Sequence, residues 1–122
     1  MKFRFLLITF LALIIIGKAA FAHTPADISI VPDFVNNTVQ VKVRHPIVPH
    51  DERIHYLKSI EVTADDRQPI VYSFTFQKGD YQQVDAGVPD LKAVKKLKVK
   101  ACHNTCLEKD FDIEAMVNKT AE

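Results

Sequence analysis

The strongest constraint on this chain is a period-two alternation of apolar and polar residues that returns in short runs. Thr38-Val39-Gln40-Val41-Lys42-Val43-Arg44 puts three valines on one side of an extended segment and polar groups on the other. Residues 94–101 alternate in the same way, with lysines as the polar partners. Residues 27–31 and 56–63 repeat the pattern, and residues 69–76 are rich in strand-forming side chains. Residues 110–115 read as the last strand, and residues 81–92 have no clear period. Turn chemistry separates the runs: Pro32, the two prolines of His45-Pro46-Ile47-Val48-Pro49-His50-Asp51, Asp65-Asp66-Arg67-Gln68, and Lys78-Gly79-Asp80. No long stretch carries a helical period. Six or seven short strands joined by turns predict an all-β fold, an antiparallel sandwich of immunoglobulin-like type.

The first 22 residues follow a different plan. Lys2 and Arg4 precede an apolar run over residues 6–16, and the segment ends in the small-x-small triplet Ala20-Phe21-Ala22. That is the layout of a secretory signal peptide cleaved after Ala22, and its apolar run is far shorter than the roughly 20 residues that span a bilayer. The expected mature domain, residues 23–122, begins at His23, carries no stable membrane span and works in a periplasm or outside the cell. Its charge is close to balanced, which excludes the basic surface that nucleic acid requires. With 48% hydrophobic and 25% charged residues, the chain is also not of disordered composition.

All five histidines, at positions 23, 45, 50, 55 and 103, fall within residues 23–122, at strand edges or in loops. Imidazole is the commonest protein ligand for redox metals, and thiolate is the softer donor that selects iron, copper or zinc. Sandwich edges are where separate segments converge on one site. The two cysteines, Cys102 and Cys106, are four positions apart. In an oxidising compartment they are candidates for a disulfide, which a tight turn through His103-Asn104-Thr105 would permit, and Cys102 is equally a candidate metal ligand.

Several strings together resemble the iron domain of superoxide reductases, the desulfoferrodoxin and neelaredoxin family. His23-Thr24-Pro25 resembles the family's opening His-x-Pro, and His45-Pro46 its His-Pro-Met element. His55-Tyr56-Leu57-Lys58-Ser59-Ile60-Glu61 is similar to its His-Tyr-Ile-x-x-Ile-Glu stretch, and Lys78-Gly79-Asp80 to its Pro-Gly-Asp turn. Cys102 opens a segment similar to Cys-Asn-x-His-Gly. The resemblance implies an immunoglobulin-like sandwich holding one mononuclear non-haem iron, with His23, His45 and His55 as equatorial ligands and Cys102 as the axial one. It implies an oxidoreductase that reduces superoxide to hydrogen peroxide with electrons from a small donor protein. The chain departs from the pattern at the fourth histidine, where Thr105 stands, and at the neighbouring glycine, where Cys106 stands. His50, in an enlarged loop, is the favoured replacement. His103 fits less well, because neighbours in an extended segment point to opposite faces and His103 adjoins Cys102.

Two other readings stay open. If His23 is the new N-terminus, its α-amino group and imidazole together make a copper chelate, and the protein is a periplasmic copper-binding protein. If Cys102 and Cys106 are bridged, a metal-free sandwich acting as a carrier or partner-binding module is the alternative. The lysines at 92, 95, 96, 98 and 100 read as one solvated strand face, or else as a docking surface for an acidic electron donor. Asp65 and Asp66 read as turn residues.

Overall fold

A computed structural model describes residues 25–47 and 56–120. Among the described residues seven strands form two antiparallel sheets, an all-β architecture as the alternation predicts. In chain order they are β1 (Asp27–Asp33), β2 (Thr38–Arg44), β3 (Ser59–Ala64), β4 (Ile70–Ser73), β5 (Tyr81–Gly87), β6 (Lys96–Cys102) and β7 (Cys106–Asp112). A 3-10 turn, Leu91–Ala93, precedes β6, and the helix α1 (Ile113–Thr120) follows β7. One sheet has the order β1-β2-β5 and the other β4-β3-β6-β7. Adjacent pairs β1–β2, β3–β4 and β6–β7 stay within a sheet, while the remaining connections cross between sheets, as in an immunoglobulin-like sandwich. The fourth strand lies beside β3, unlike the constant-type arrangement, in which it joins the sheet of the first, second and fifth strands.

Alternation delivers the core. Val39, Val41 and Val43 face inward from β2, opposite Pro32, Ile30 and Ile28 of β1. In the second sheet the inward pairs are Ile60 with Ala101, Val62 with Val99, and Ala64 with Leu97. At the two outer pairs a large residue faces a small one, Ile60 against Ala101 and Leu97 against Ala64, which suits a close-packed layer. The opposite face of β6 carries the lysines, and β7 answers them: Lys96 lies across from Asp112, Lys98 from Asp110 and Lys100 from Glu108. Lys98 forms an ion pair with Glu108 at 3.2 Å, and that hydrogen-bonded partner raises the lysine's pKa above its ordinary value. Lys96, Lys98 and Lys100 are therefore one side of a charge-matched strand pair, while Lys92 and Lys95 precede β6.

Element boundaries differ from the sequence reading in several places, and three of the differences have a clear physical reason. Pro32 does not end β1, because β1 is an edge strand and an edge tolerates a missing N–H. The segment at 81–87 is a strand despite its faint period, because its inward positions are Gln82, Val84 and Ala86, only one of them large and apolar. Residues 110–115 are not one strand. Asp112 ends β7 and accepts a hydrogen bond from the Ala115 N–H at 3.0 Å, capping α1. Ile113, Met116 and Val117 then form the helix's buried stripe at the helical spacing.

Tight turns hold the β1–β2 and β3–β4 connections. Asp33 accepts from the side chain and N–H of Asn36 and from the Val35 N–H, which keeps its carboxyl below the usual range. Asp65 accepts from the backbone of Lys96 and Lys95, with the same effect. Both are turn carboxylates whose contribution is present above the unfolded pKa and fades as pH falls through the lowered folded value.

A core test follows from this layering. Leu97→Ala should cost about 2–5 kcal/mol in urea unfolding, because Leu97 is fully buried between sheets. Val71→Ala, at a site 58% exposed on edge strand β4, should stay within about 0.5 kcal/mol of the parent.

Candidate functional site

One end of the sandwich gathers polar groups that the core would otherwise exclude. His45 is the next inward position after Val39, Val41 and Val43, so the alternation of β2 carries an imidazole just past the apolar layer. It is buried, and its N–H donates to the Asp80 carbonyl at 2.8 Å. His103 stands in the same relation to β6, one step beyond Leu97, Val99 and Ala101, and is also buried. The two rings meet between the sheets with centroids 5.1 Å apart and planes tilted by 44°.

Gln77 organises this end. Its side chain is fully buried and uses both ends of the amide. The carbonyl oxygen accepts from the Leu57 N–H at 3.0 Å and lies 2.9 Å from His45 Nδ1. The amide nitrogen donates to the His45 carbonyl at 2.6 Å and the Gly79 carbonyl at 2.9 Å. Turning the amide over would set nitrogen against the Leu57 donor and oxygen against two carbonyls, so the orientation is fixed. An amide oxygen only accepts, so His45 donates from Nδ1. Gly79 sits at φ +76°, a left-handed conformation that glycine takes without strain, and this aims its carbonyl at Gln77. Asp80 then accepts from the Ile47 N–H at 3.3 Å. The Lys78-Gly79-Asp80 turn thus braces the loop that follows His45.

His103 is anchored on the same principle. Its Nδ1 lies 2.7 Å from the Tyr56 carbonyl oxygen, another group that only accepts. In both rings the Nδ1–H is engaged, and in the neutral form the lone pair falls on Nε2. Metal-ligating histidines show this arrangement of the second ring nitrogen, which fixes ring orientation and raises ligand basicity.

Cys102 and Cys106 are joined by a disulfide across the last register pair of the β6–β7 hairpin, with Cα atoms 4.1 Å apart. The expected tight turn is present, closed by the His103 N–H donating to the Thr105 carbonyl at 3.0 Å. The bridge leaves no free cysteine among the described residues. A disulfide sulfur carries no thiolate charge, so in this form Cys102 is not the axial donor that the resemblance implies. His103 and Cys102 occupy opposite faces of the strand, as the sequence argument holds, but it is His103 that shares the inward face with the core.

Of the sequence candidates, the structure places His45, Cys102 and Cys106; His23, His50 and His55 lie outside the described residues. Among the described residues no group of three or more histidines, cysteines and carboxylates is placed to hold a metal ion. Also among them, no helix is long and apolar enough to cross a membrane. Gln77 escaped the sequence reading because a lone glutamine after an aromatic run carries no motif. The role of His103 was legible in principle, since it has the same parity as Leu97, Val99 and Ala101. No protein-family model, curated protein or solved structure matches this chain.

The Gln77 network has a direct stability test. Gln77→Leu keeps the volume but strands the Leu57 N–H and His45 Nδ1–H, each a loss of about 1–3 kcal/mol. Unfolding by urea should show a destabilisation of about 2–6 kcal/mol, whereas Gln83→Leu, on the exposed side of β5, should have almost no effect.

Proposed function

We propose that this is an exported, mononuclear non-haem iron protein resembling superoxide reductase, released to a periplasm or the cell exterior by loss of residues 1–22. His23, His45 and His55 are the proposed imidazole ligands, His50 a further one, and Cys102 would supply a thiolate once the bridge is open. The observation that supports this most is the Nδ1–H of buried His45 held by the Gln77 amide, which in the neutral ring puts the lone pair on Nε2, as in metal-ligating histidines. Chain connectivity adds support: His55 directly precedes Tyr56, whose carbonyl holds His103, and His23 lies three positions before Ala26, whose N–H donates to the Arg44 carbonyl at 2.8 Å.

Iron bound there would supply one electron to superoxide. Neutral imidazole donors leave the cation's charge uncompensated, which favours approach of an anion. The Gln77 and Tyr56 anchors keep the two described rings in a fixed orientation and tautomer. Thiolate ligation by Cys102 first requires the bridge to open. A dithiol reductant does this by two exchange steps: two electrons and two protons pass to Cys102 and Cys106, and the reductant leaves as its own disulfide. Cys102 then loses its proton to become a donor. A small electron-donor protein is the proposed source for turnover.

The bridge itself favours a second reading, a metal-free carrier or partner-binding module, in which the Cys102–Cys106 disulfide is purely structural. Metal content and absorption spectra of residues 23–122 separate the readings. The iron proposal expects one iron per chain, with a ferric-thiolate band that appears only after dithiol reduction and is lost in Cys102→Ser. Copper retained without such a band, and lost when the His23 amine is blocked, would point to the copper protein. No metal retained in either redox form would leave the carrier.

A further inference from the structure

We propose that the outer edge of β5 is a docking site for an extended strand from a partner protein, one whose alternate residues are apolar and basic. The site needs no metal and uses none of the proposed ligands.

The first support is a mismatch between the layers. Lys109 of β7 reaches the Ile28 carbonyl and Asp27 on β1, so those two edges lie on one side of the sandwich. β5 and β4 are the edges of the other side, where the Gln82 side chain donates to the Phe76 carbonyl at 3.1 Å. The sheets hold three and four strands, so the larger one is incompletely covered. β4 shows the effect. Its inward residues Ile70 and Tyr72 are only partly buried, whereas Val62 and Ile60, their partners on β3, are fully buried. A constant-type sandwich places its fourth strand beside the fifth. Here β4 pairs with β3 instead, and among the described residues no strand pairs with β5 on the side away from β2. One strand added to β5 evens the layers and lies over Ile70 and Tyr72.

The backbone of β5 is set for such an addition. The Val88 N–H donates to the Asn37 carbonyl and the His45 N–H to the Asp80 carbonyl, both at 2.8 Å, one position beyond each end of the β2–β5 register. Bonding alternates along an antiparallel pair, so Gln82, Val84 and Ala86 turn their backbone groups to β2. Tyr81, Gln83, Asp85 and Gly87 turn theirs to the outer edge, and all four residues are exposed. The other edges are guarded. β1 contains Pro32 and has its Ile28 carbonyl occupied by Lys109, β4 is only four residues long, and β7 carries Glu108, Lys109, Asp110 and Asp112. β5 runs for seven residues without proline, lysine or arginine.

Chemistry selects the occupant. Apolar residues of the incoming strand meet Ile70, Tyr72 and Val84 on the inward face. On the outward face Asp85 is the one charge of β5, and it lies across from Gln40 on β2 rather than from a cation. A lysine or arginine therefore suits the facing position on the new strand. A second copy of this chain fits poorly. An antiparallel β5–β5 pair keeps both inward faces on one side and doubles the mismatch, with both β4 strands under one seam.

The test uses 15N-labelled protein with the bridge intact and a synthetic peptide of alternating valine and lysine, matched in length to β5. Added peptide should slow amide exchange at Tyr81, Gln83, Asp85 and Gly87, while Gln82, Val84 and Ala86 are already slow without it. Gln83→Pro removes one edge-facing N–H without touching the β2 ladder and should abolish binding. Should that variant not fold, the peptide N-methylated at its β5-facing positions should fail to bind the unaltered protein. Asp85→Lys should weaken binding about 2–10-fold and favour the valine–glutamate counterpart. No change along β5 at millimolar peptide overturns the proposal, as does protection centred on β1, β4 or β7. Edge amides that are slow in the free protein at every concentration would mean that this chain covers β5 itself. Protection that rises with protein concentration would mean a second copy. Either result overturns the proposed partner strand, and none of these outcomes bears on metal content.

Discussion

Four hydrogen bonds to one buried amide hold this end of the sandwich together. Gln77 joins the strand exit at His45, the lead-in to β3 at Leu57, and the turn at Gly79. A glutamine placed there without partners would be strongly destabilising; fully satisfied, it makes the local arrangement unique. It also sets the protonation pattern of His45, so the same contacts that close the fold define what the imidazole can do. Tyr56 extends the constraint to His103 through its backbone carbonyl.

The sandwich supplies the rest of the placement by alternation alone. β2 and β6 each present an apolar face of three small or branched residues, and the next residue of the same parity is a histidine. Two strands from different sheets thereby bring imidazoles to one point, where the apolar layer ends. The opposite face of β6 is paired with the acids of β7 and is closed off from that chemistry. The edges are also managed: Lys109, at an inward-facing position of edge strand β7, donates to the Ile28 carbonyl at 3.1 Å and pairs with Asp27, clamping the two sheets along one side.

Much of the fold could be read from the amino acids, because the strands with clean alternation are those whose inward positions are all apolar. β2 is the plainest case, and its register on β1 follows from the valines. β5 was hidden by glutamine and alanine at inward positions, and α1 by Asp112, which continues a strand-like pattern while its carboxylate starts a helix. At the site, His45 was legible as a residue at the end of an alternating run. His103 was discounted by a sound rule applied from the wrong side: it does point away from Cys102, and that direction is toward His45. The Gln77 network joins residues up to 32 positions apart, so no local pattern announces it.

The central claim is that this end of the sandwich presents oriented imidazoles to a metal, with sulfur excluded while the bridge is closed. X-ray absorption fine structure of ferrous-reconstituted protein tests it most directly. The account predicts imidazole scattering from at least two rings at distances of about 2.0–2.2 Å, no sulfur in the bridged protein, and one sulfur at about 2.3 Å after reduction with a dithiol. A shell of oxygen atoms without imidazole scattering, in either redox form, would contradict it.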